Sequence, residues 1–396
     1  MKTPRAGAGP STVLFLHHTS VLGGAERSLL DLVGELDRSR FSPIVVLPGN
    51  GPLADSFRAL HVPVRYLALR RITRTLTPWA LTVTLASVLI TTVALTHLMW
   101  RARVRAVHAN SMSALIFARP AAWLMRRPLI WHVRDFVPGG RFVRISTAGC
   151  AYVIAISRAI RAHLQRTLHV RAKIVLIYNG LDVEAAVRAG QPTVGWASFD
   201  KNLKVVAMAG QFVPWKKHAV FIEAAALVHR TYPDARFVVA GGDLFADHPG
   251  YRAELEALAT RLGLGECLTF LGFVDDLPAH LPGVACLVLP SEREPFGRVL
   301  IEAMAAGRPV IAISRDGPAE IVRDRVDGFL TEPGSATGIA EAVSRILADP
   351  VLADSMGSRG RERVGRKFTL DRTAARFQRV LDAALTAGNA RGALTP

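Results

Sequence analysis

A two-domain α/β fold, each domain a doubly wound parallel sheet, is what this sequence predicts, and three observations predict it. Short runs rich in Val and Ile alternate with segments of helical periodicity along most of the chain, which is the pattern of buried parallel strands joined by helical crossovers. The alternation lapses once, from Glu184 to Asn202, into Gly, Pro, Thr and Ser, and then restarts, as a linker between two such units would. The length of 396 residues suits two domains of roughly 100–200 residues each. The expected division is a first domain over 1–183, a linker over 184–202, a second domain over 203–369, and a helix and tail over 370–396.

The first half opens with the apolar run Thr12–His17, which ends at the Gly-Gly turn of Gly23 and Gly24. Helical periodicity follows through Leu29, Leu32, Val33 and Leu36. Further strands are expected at Ile44–Leu47, Val62–Tyr66, Ala106–His108, Leu129–Val133, Tyr152–Ile156 and Lys173–Ile177. In the second half the strands are Lys204–Met208, Arg236–Ala240, Leu268–Leu271, Ala285–Leu289 and Pro309–Ile313, with helices through His218–His229, Tyr251–Leu262 and Val299–Ala306. A helical segment over Leu370–Leu385 closes the pattern. Two such halves joined by a hinge place the natural ligand crevice between the carboxyl ends of the two sheets.

Composition excludes several classes. With 50% hydrophobic and 20% charged residues the chain can bury a full core, so it is not a disordered protein. The three cysteines, Cys150, Cys267 and Cys286, are widely spaced and lack a C-x-x-C pair, which fits neither a disulfide scaffold nor a zinc site and points to a reducing cytosol. Met1–Pro10 is polar and carries no signal-peptide pattern. The formal charge of +17 bears on partners, not fold. It favours phosphates or an anionic membrane surface; a nucleic-acid role is not expected, since the arginines are spread over both halves without an aromatic-basic motif.

One segment tests the soluble reading. From Thr75 to Trp100 no residue is formally charged, and Arg70, Arg71, Arg74, Arg101, Arg103 and Arg105 flank it, so it meets the length of roughly 20 residues for a membrane span. It nevertheless holds nine Thr, Ser or His residues and lies between two strands of one expected sheet. A span would pull those strands apart. A core helix and a membrane-surface helix both remain open, and the protein is expected to be cytoplasmic and peripheral at the inner face of a membrane.

The most informative stretch is Leu287–Gly307. A strand ends at Pro290, a loop carries Glu292 and Glu294, and a helix opens near Phe296 and Gly297. The free N–H groups and dipole of a helix start suit a phosphate, and Gly297 allows close approach of a ligand to the backbone. Glu302 falls about five residues into that helix, roughly 7–8 Å along its axis, where a carboxylate could grip a ribose diol. The plainer alternative makes Glu294 a companion of the helix dipole and Glu302 a solvated helix residue.

Glu294 and Glu302 together form the E-x7-E pattern, and on it the chain resembles the retaining glycosyltransferases of family four, which have the GT-B fold. The resemblance extends through Ser20–Arg27 (SVLGGAER), Ile177–Asp182 (IYNGLD), Gly210–Lys216 (GQFVPWK), Phe270–Leu277 (FLGFVDDL), Pro290–Val310 and Asp316–Val322 (DGPAEIV), several motifs in order over most of the chain. It implies transfer of a sugar from a nucleoside diphosphate sugar to a glycan or lipid-linked acceptor, in cell-surface polysaccharide or glycolipid synthesis. No cofactor and no metal are implied, the sugar nucleotide being a co-substrate. By the same resemblance Glu294, Lys216 and His132 would be catalytic. Gly23, Gly24, Gln211, Phe296, Gly297, Arg298, Glu302, Gly242 and Phe273 would bind the donor. The glycines have a plainer reading as tight turns, and His132 one as a structural strand-end residue. Asn110, Ser111, Arg134 and Asp135 follow strand ends, either for acceptor contact or for local ion pairs.

One position departs from the family pattern: Gln211 stands where an Arg usually accompanies the loop lysine. Lys216 keeps the charge that offsets a leaving diphosphate, while Arg293, Arg298 or Lys217 could substitute for the missing one. The resemblance implies front-face substitution with retained configuration, in place of the two displacements that need a nucleophilic carboxylate. Two other readings compete: a sugar-nucleotide binding protein without catalysis, for which Gln211 argues, and another GT-B enzyme such as a sugar-nucleotide epimerase.

Overall fold

The computed structural model describes residues 9–71, 77–168, 173–188 and 204–392. The chain divides into two compact units, one of residues 1–178 with 371–396 and the other of residues 179–370.

The first unit is a seven-stranded sheet: β1 (Ser11–Leu16), β2 (Phe41–Leu47), β3 (Val64–Tyr66), β4 (Ala106–Ala109), β5 (Leu129–Val133), β6 (Tyr152–Ala155) and β7 (Lys173–Leu176). Its order is β3-β2-β1-β4-β5-β6-β7 and every pairing is parallel. The second unit has β8 (Val205–Ala209), β9 (Arg236–Ala240), β10 (Leu268–Gly272), β11 (Cys286–Leu289), β12 (Val310–Ile313) and β13 (Gly328–Thr331), in the parallel order β10-β9-β8-β11-β12-β13. In each sheet the winding reverses once, between β1 and β4 and between β8 and β11. Loops diverge at such reversals, so the carboxyl ends of those strands are where doubly wound sheets bind ligands.

Burial on both faces explains the sequence of the strands. Val13 to Leu16 and Val205 to Met208 are fully covered, so they read as unbroken apolar runs instead of alternating ones. Phe15, Phe41, Phe57 and Phe377 fill the first core, and Phe221 and Phe237 the second. Phe377 belongs to the closing helix, Leu370–Gly392, and its ring lies 6.0 Å from Phe15. The chain therefore returns to its first unit at the end, fastened by Thr373 Oγ1, which donates to the Tyr178 carbonyl at 2.9 Å.

Several elements differ from the sequence expectation. Val183–Arg188 is helical, so the segment read as a linker from Glu184 begins with helix; residues 189–202 of it lie outside the described residues. The same holds for residues 1–8 of the N-terminal reading, Thr75 and its neighbour 76, and residues 393–396 of the closing tail. Between Ile313 and Leu370 the structure adds β13 and the helices Ala336–Ala348 and Pro350–Lys367. The latter carries Gly357, Gly360 and Gly365, which lower helix propensity and hide it from a sequence reading. At least one is required: a Cβ on Gly357 would sit 1.9 Å from the Gly307 carbonyl oxygen.

Candidate active site

In the second unit, the loops after β8 and β11 interlock. Glu292 N–H donates to the Trp215 carbonyl at 2.9 Å, and Lys217 Nζ lies 3.2 Å from Glu292. At the centre Lys216 Nζ donates to Glu294 Oε2 at 2.6 Å, with both side chains largely covered. A short 3-10 turn, Pro214–Lys216, aims the lysine, and its ammonium stacks over the Trp215 ring at 4.4 Å. A third loop, after β9, closes on the same place. Phe212 N–H donates to the Gly242 carbonyl at 3.0 Å, and a Cβ on Gly241 would come within 1.8 Å of the Gly210 carbonyl oxygen.

Gly297 is the N-cap of the helix Arg298–Ala305, with a left-handed φ of +94°, a conformation that favours glycine. Glu302 is only 6% exposed and accepts from Arg298 Nε at 2.8 Å. It is therefore not the solvated helix residue of the plainer reading. Phe296 supports the helix start from below: it is buried, with its ring 5.9 Å from Phe368, so only its backbone is placed for a ligand. Phe273 follows β10 and is half exposed. Lys216, Glu294, Gly297, Arg298 and Glu302 thus converge on the β8/β11 reversal, and Gln211 and Gly242 border it. Lys217 and Arg298 are both engaged by carboxylates, so neither is simply a spare charge in place of Gln211.

In the first unit a directional chain of hydrogen bonds runs along the carboxyl ends of β5, β4 and β1. Arg134 Nε donates to Asn110 Oδ1 at 3.0 Å, Asn110 Nδ2 to His17 Nδ1 at 3.3 Å, and His17 Nε2 to Glu26 Oε1 at 2.6 Å. Gly23 N–H then donates to Glu26 Oε2 at 3.1 Å, the one half of a capping box that a glycine N-cap allows at the start of the helix Gly24–Gly34. The Gly23–Gly24 turn is therefore held from inside the protein. Burial alone would raise the Glu26 carboxyl, but the hydrogen bond from His17 leads the contributions that outweigh it and hold the group below its ordinary value.

His132 lies beside this chain. Its Nδ1 faces both Arg134 Nη2 at 3.4 Å and His108 Nε2 at 3.2 Å. Burial, then the Arg134 charge, keep His132 and His108 neutral, well below the usual histidine range. A neutral ring accepting at Nδ1 carries its proton on Nε2, and that buried atom has no partner among the described residues.

Comparison with known proteins decides the family. A family model described as Glycosyltransferase Family 4 matches residues 22–185, and one described as Glycosyl transferases group 1 matches residues 197–363. The chain belongs to glycosyltransferase family four. The lipopolysaccharide core biosynthesis glycosyltransferase LpsE of Rhizobium meliloti is 33% identical over 42% of this chain and 46% of its own. The match to the putative glycosyltransferase YtcC of Bacillus subtilis likewise covers 47% of that protein, so the chain spans about half the length of these first curated relatives. A longer match, 26% identical over 84% of this chain and 87% of the relative, is to the UDP-Gal:alpha-D-GlcNAc-diphosphoundecaprenol alpha-1,3-galactosyltransferase of Escherichia coli. Among solved structures, Anabaena HepE in complex with UDP and glucose superposes with a TM-score of 0.79, at 26% identity and over 93% of this chain and 99% of that one. Sucrose-phosphate synthase of Thermosynechococcus elongatus shares the two-sheet GT-B fold with a TM-score of 0.76.

Against the family-four expectation, sequence reasoning singled out the carboxylates and Lys216 but missed His17, Glu26 and His108. The available signal was positional: His17 directly follows β1 and His108 is the penultimate residue of β4, the two strands flanking the winding reversal, and Glu26 stands three residues after Gly23. The buried imidazoles of this family-four chain also set an acid limit. Burial and His17 push His18 to about 4, and burial and Lys216 push His218 to about 3. In the unfolded chain each takes up a proton near 6.5. Their contribution is therefore complete above that pH and is lost as pH falls from 6.5 towards 4, at up to roughly 1.4 kcal/mol per pH unit for each group. The thermal midpoint at fixed ionic strength is expected to drop steeply between pH 7 and pH 5. A flat profile there would contradict the neutral assignment.

Proposed function

We propose that the protein is a retaining, metal-independent glycosyltransferase that uses a UDP sugar and a glycan or lipid-linked acceptor. It would work as a peripheral protein at the cytoplasmic face of a membrane, in cell-surface polysaccharide or glycolipid synthesis. The observation that carries this reading is the buried Lys216–Glu294 pair beside the start of the Arg298–Ala305 helix, with Glu302 inside that helix. HepE, which resembles this chain over its length, was crystallised with UDP and with UDP-glucose, and that supports the choice of donor. The E. coli relative, named for a diphosphoundecaprenol-linked acceptor, supports the choice of acceptor.

The chemistry follows from the charges. As the bond from the anomeric carbon to the diphosphate breaks, negative charge grows on the leaving oxygen, where the ammonium of Lys216 and the helix amides stabilise it. The acceptor oxygen bonds to the same face of the sugar, and its proton passes to the departing phosphate. Glu294 orients the sugar and Glu302 holds the ribose diol. A thermal-shift series with UDP, GDP and ADP sugars tests donor choice, because a ligand at a hundredfold excess over Kd adds roughly 2.7 kcal/mol. Stabilisation by a GDP or ADP sugar alone would overturn the UDP assignment.

Because Lys216 and the helix start supply the positive potential, turnover is expected to survive EDTA. Complete loss, restored by magnesium or manganese, would overturn the metal-free route. Gln211 favours a second reading, a sugar-nucleotide binder without catalysis; donor-dependent stabilisation with no product from any acceptor would establish it.

A further inference from the structure

The helix Pro78–Arg101 is, among the described residues, long and apolar enough to cross a membrane, yet only 22% of its Thr82–Arg101 window is buried. Its covered side is Thr91, Thr92, Leu95 and Met99, and it packs on the helix Met112–Leu124. Spanning would strip this packing and pull apart β3 and β4, which belong to one sheet. The opposite side is exposed: Leu85, Leu89, Ile90, Val93 and Trp100 are all between 62% and 68% accessible, and Trp79 lies at the other end. At 100° per residue these positions from Leu85 to Trp100 share one face about 140° wide. An exposed apolar face with tryptophans at its ends is the pattern of a helix lying in a membrane interface.

At the carboxyl end of the same helix lies a cavity of about 680 Å³. It is lined by Met99, Trp100, Met125 and the arginines Arg101, Arg103, Arg105 and Arg127, with no acidic side chain among them. Burial, and then the nearby charge of Arg105, lower the pKa of Arg127, whose Nε–H is buried with no partner among the described residues. Arg127 itself is partly exposed, so its guanidinium is open to an anion, which would complete the unpaired donor and offset the like charges around it. The cavity sits ahead of β4, at the amino edge of the first sheet, so it is separate from the carboxyl-edge network of His17 and His132.

We propose that this cavity binds the phosphate of an anionic phospholipid headgroup while the exposed face from Leu85 to Trp100 lies in the acyl boundary of the same bilayer. The complementarity is one of charge and of polarity: guanidinium groups meet the phosphate, and the apolar face begins at Trp100, which lines the cavity. The proposal rests on the peripheral reading given above and names the site through which it acts.

The test is co-sedimentation of the full-length protein with phosphatidylcholine vesicles and with phosphatidylcholine–phosphatidylglycerol vesicles. Binding to the anionic vesicles alone is expected. Arg101→Gln/Arg103→Gln, which alters exposed side chains and should not disturb folding, is expected to weaken that binding by about 30-fold. Arg359→Gln/Arg361→Gln, which removes the same charge from exposed positions in the second unit, is expected to change it less than threefold on the same scale. Leu89→Asn/Ile90→Asn should also release the protein from vesicles, with its thermal midpoint retained. Equal losses from the two arginine pairs would overturn the headgroup site, as would equal binding to neutral vesicles; both results leave the peripheral reading standing. No vesicle binding at all would overturn both. A concentration-dependent dimer abolished by Leu89→Asn/Ile90→Asn would assign the face to a second copy instead and overturn the proposal.

Discussion

Lys216→Ala is expected to lower turnover by about 10²–10³-fold, the usual cost of deleting one preorganised group that stabilises developing negative charge. The same change leaves Glu294 buried without its partner, since Lys216 Nζ is 2.6 Å from Glu294 Oε2 and the carboxylate is only 6% exposed. Breaking such a pair from one side costs about 3–5 kcal/mol of stability, so lost activity alone could reflect a damaged fold. Lys216→Gln separates the two effects. Its amide can still donate to Glu294, which should restore much of the thermal midpoint, but it brings no charge to the leaving diphosphate and should remain slow. Recovery of turnover together with the midpoint would refute an electrostatic role. The two carboxylates are expected to divide differently: Glu302→Ala should raise the donor KM, and Glu294→Ala should lower kcat more than it raises KM. Wild-type values of both constants in both variants would sink the assignment of the pair.

Both sheets were legible because parallel strands covered on two faces must be apolar throughout, and Val13–Leu16 or Cys286–Leu289 show this directly. The half of the site on one loop and helix was legible for a related reason: the eight-residue spacing of Glu294 and Glu302 across a helix start fixes their separation. What pairs with them was not. Lys216 stands 78 positions away from Glu294, and helical spacing says nothing about a contact made between loops of different strands. The His17–Glu26 pair was obscured in another way. Glu26 lies in SVLGGAER beside Arg27, where a solvated helix start is the natural reading, and only the fold reveals that it is turned inward to hold Gly23. For the closing helix, the sequence predicted a helical segment over Leu370–Leu385 but not that Phe377 would pack against Phe15 and His108. At Gly241 the structure shows a close approach of two loops, a contact between the ends of different strands that local sequence pattern does not carry.

That close approach makes Gly241→Ala the second large expected effect. Gly241 has a φ of +150°, and a Cβ there would come 1.8 Å from the Gly210 carbonyl oxygen. No rotamer relieves the contact, because both atoms are fixed to backbone. The β8 loop would have to move away from the β9 loop, against the Gly210 N–H bond to the Ala240 carbonyl and the Phe212 N–H bond to the Gly242 carbonyl. Overpacking and backbone strain of this kind cost about 1–3 kcal/mol each. The displaced segment is also the one that begins at Gly210 and carries Lys216, so the stabilisation conferred by a UDP sugar should fall along with the thermal midpoint. Gly242→Ala supplies the control. Its Cβ would meet nothing within 4 Å, so its midpoint without ligand should stay close to wild type. Differential scanning fluorimetry of the two variants, with and without UDP-glucose, reads both effects. Equal midpoints for Gly241→Ala and wild type would show that the loops yield without cost. An equal loss in both variants would place the requirement in glycine flexibility, not in the approach of Gly241 to Gly210.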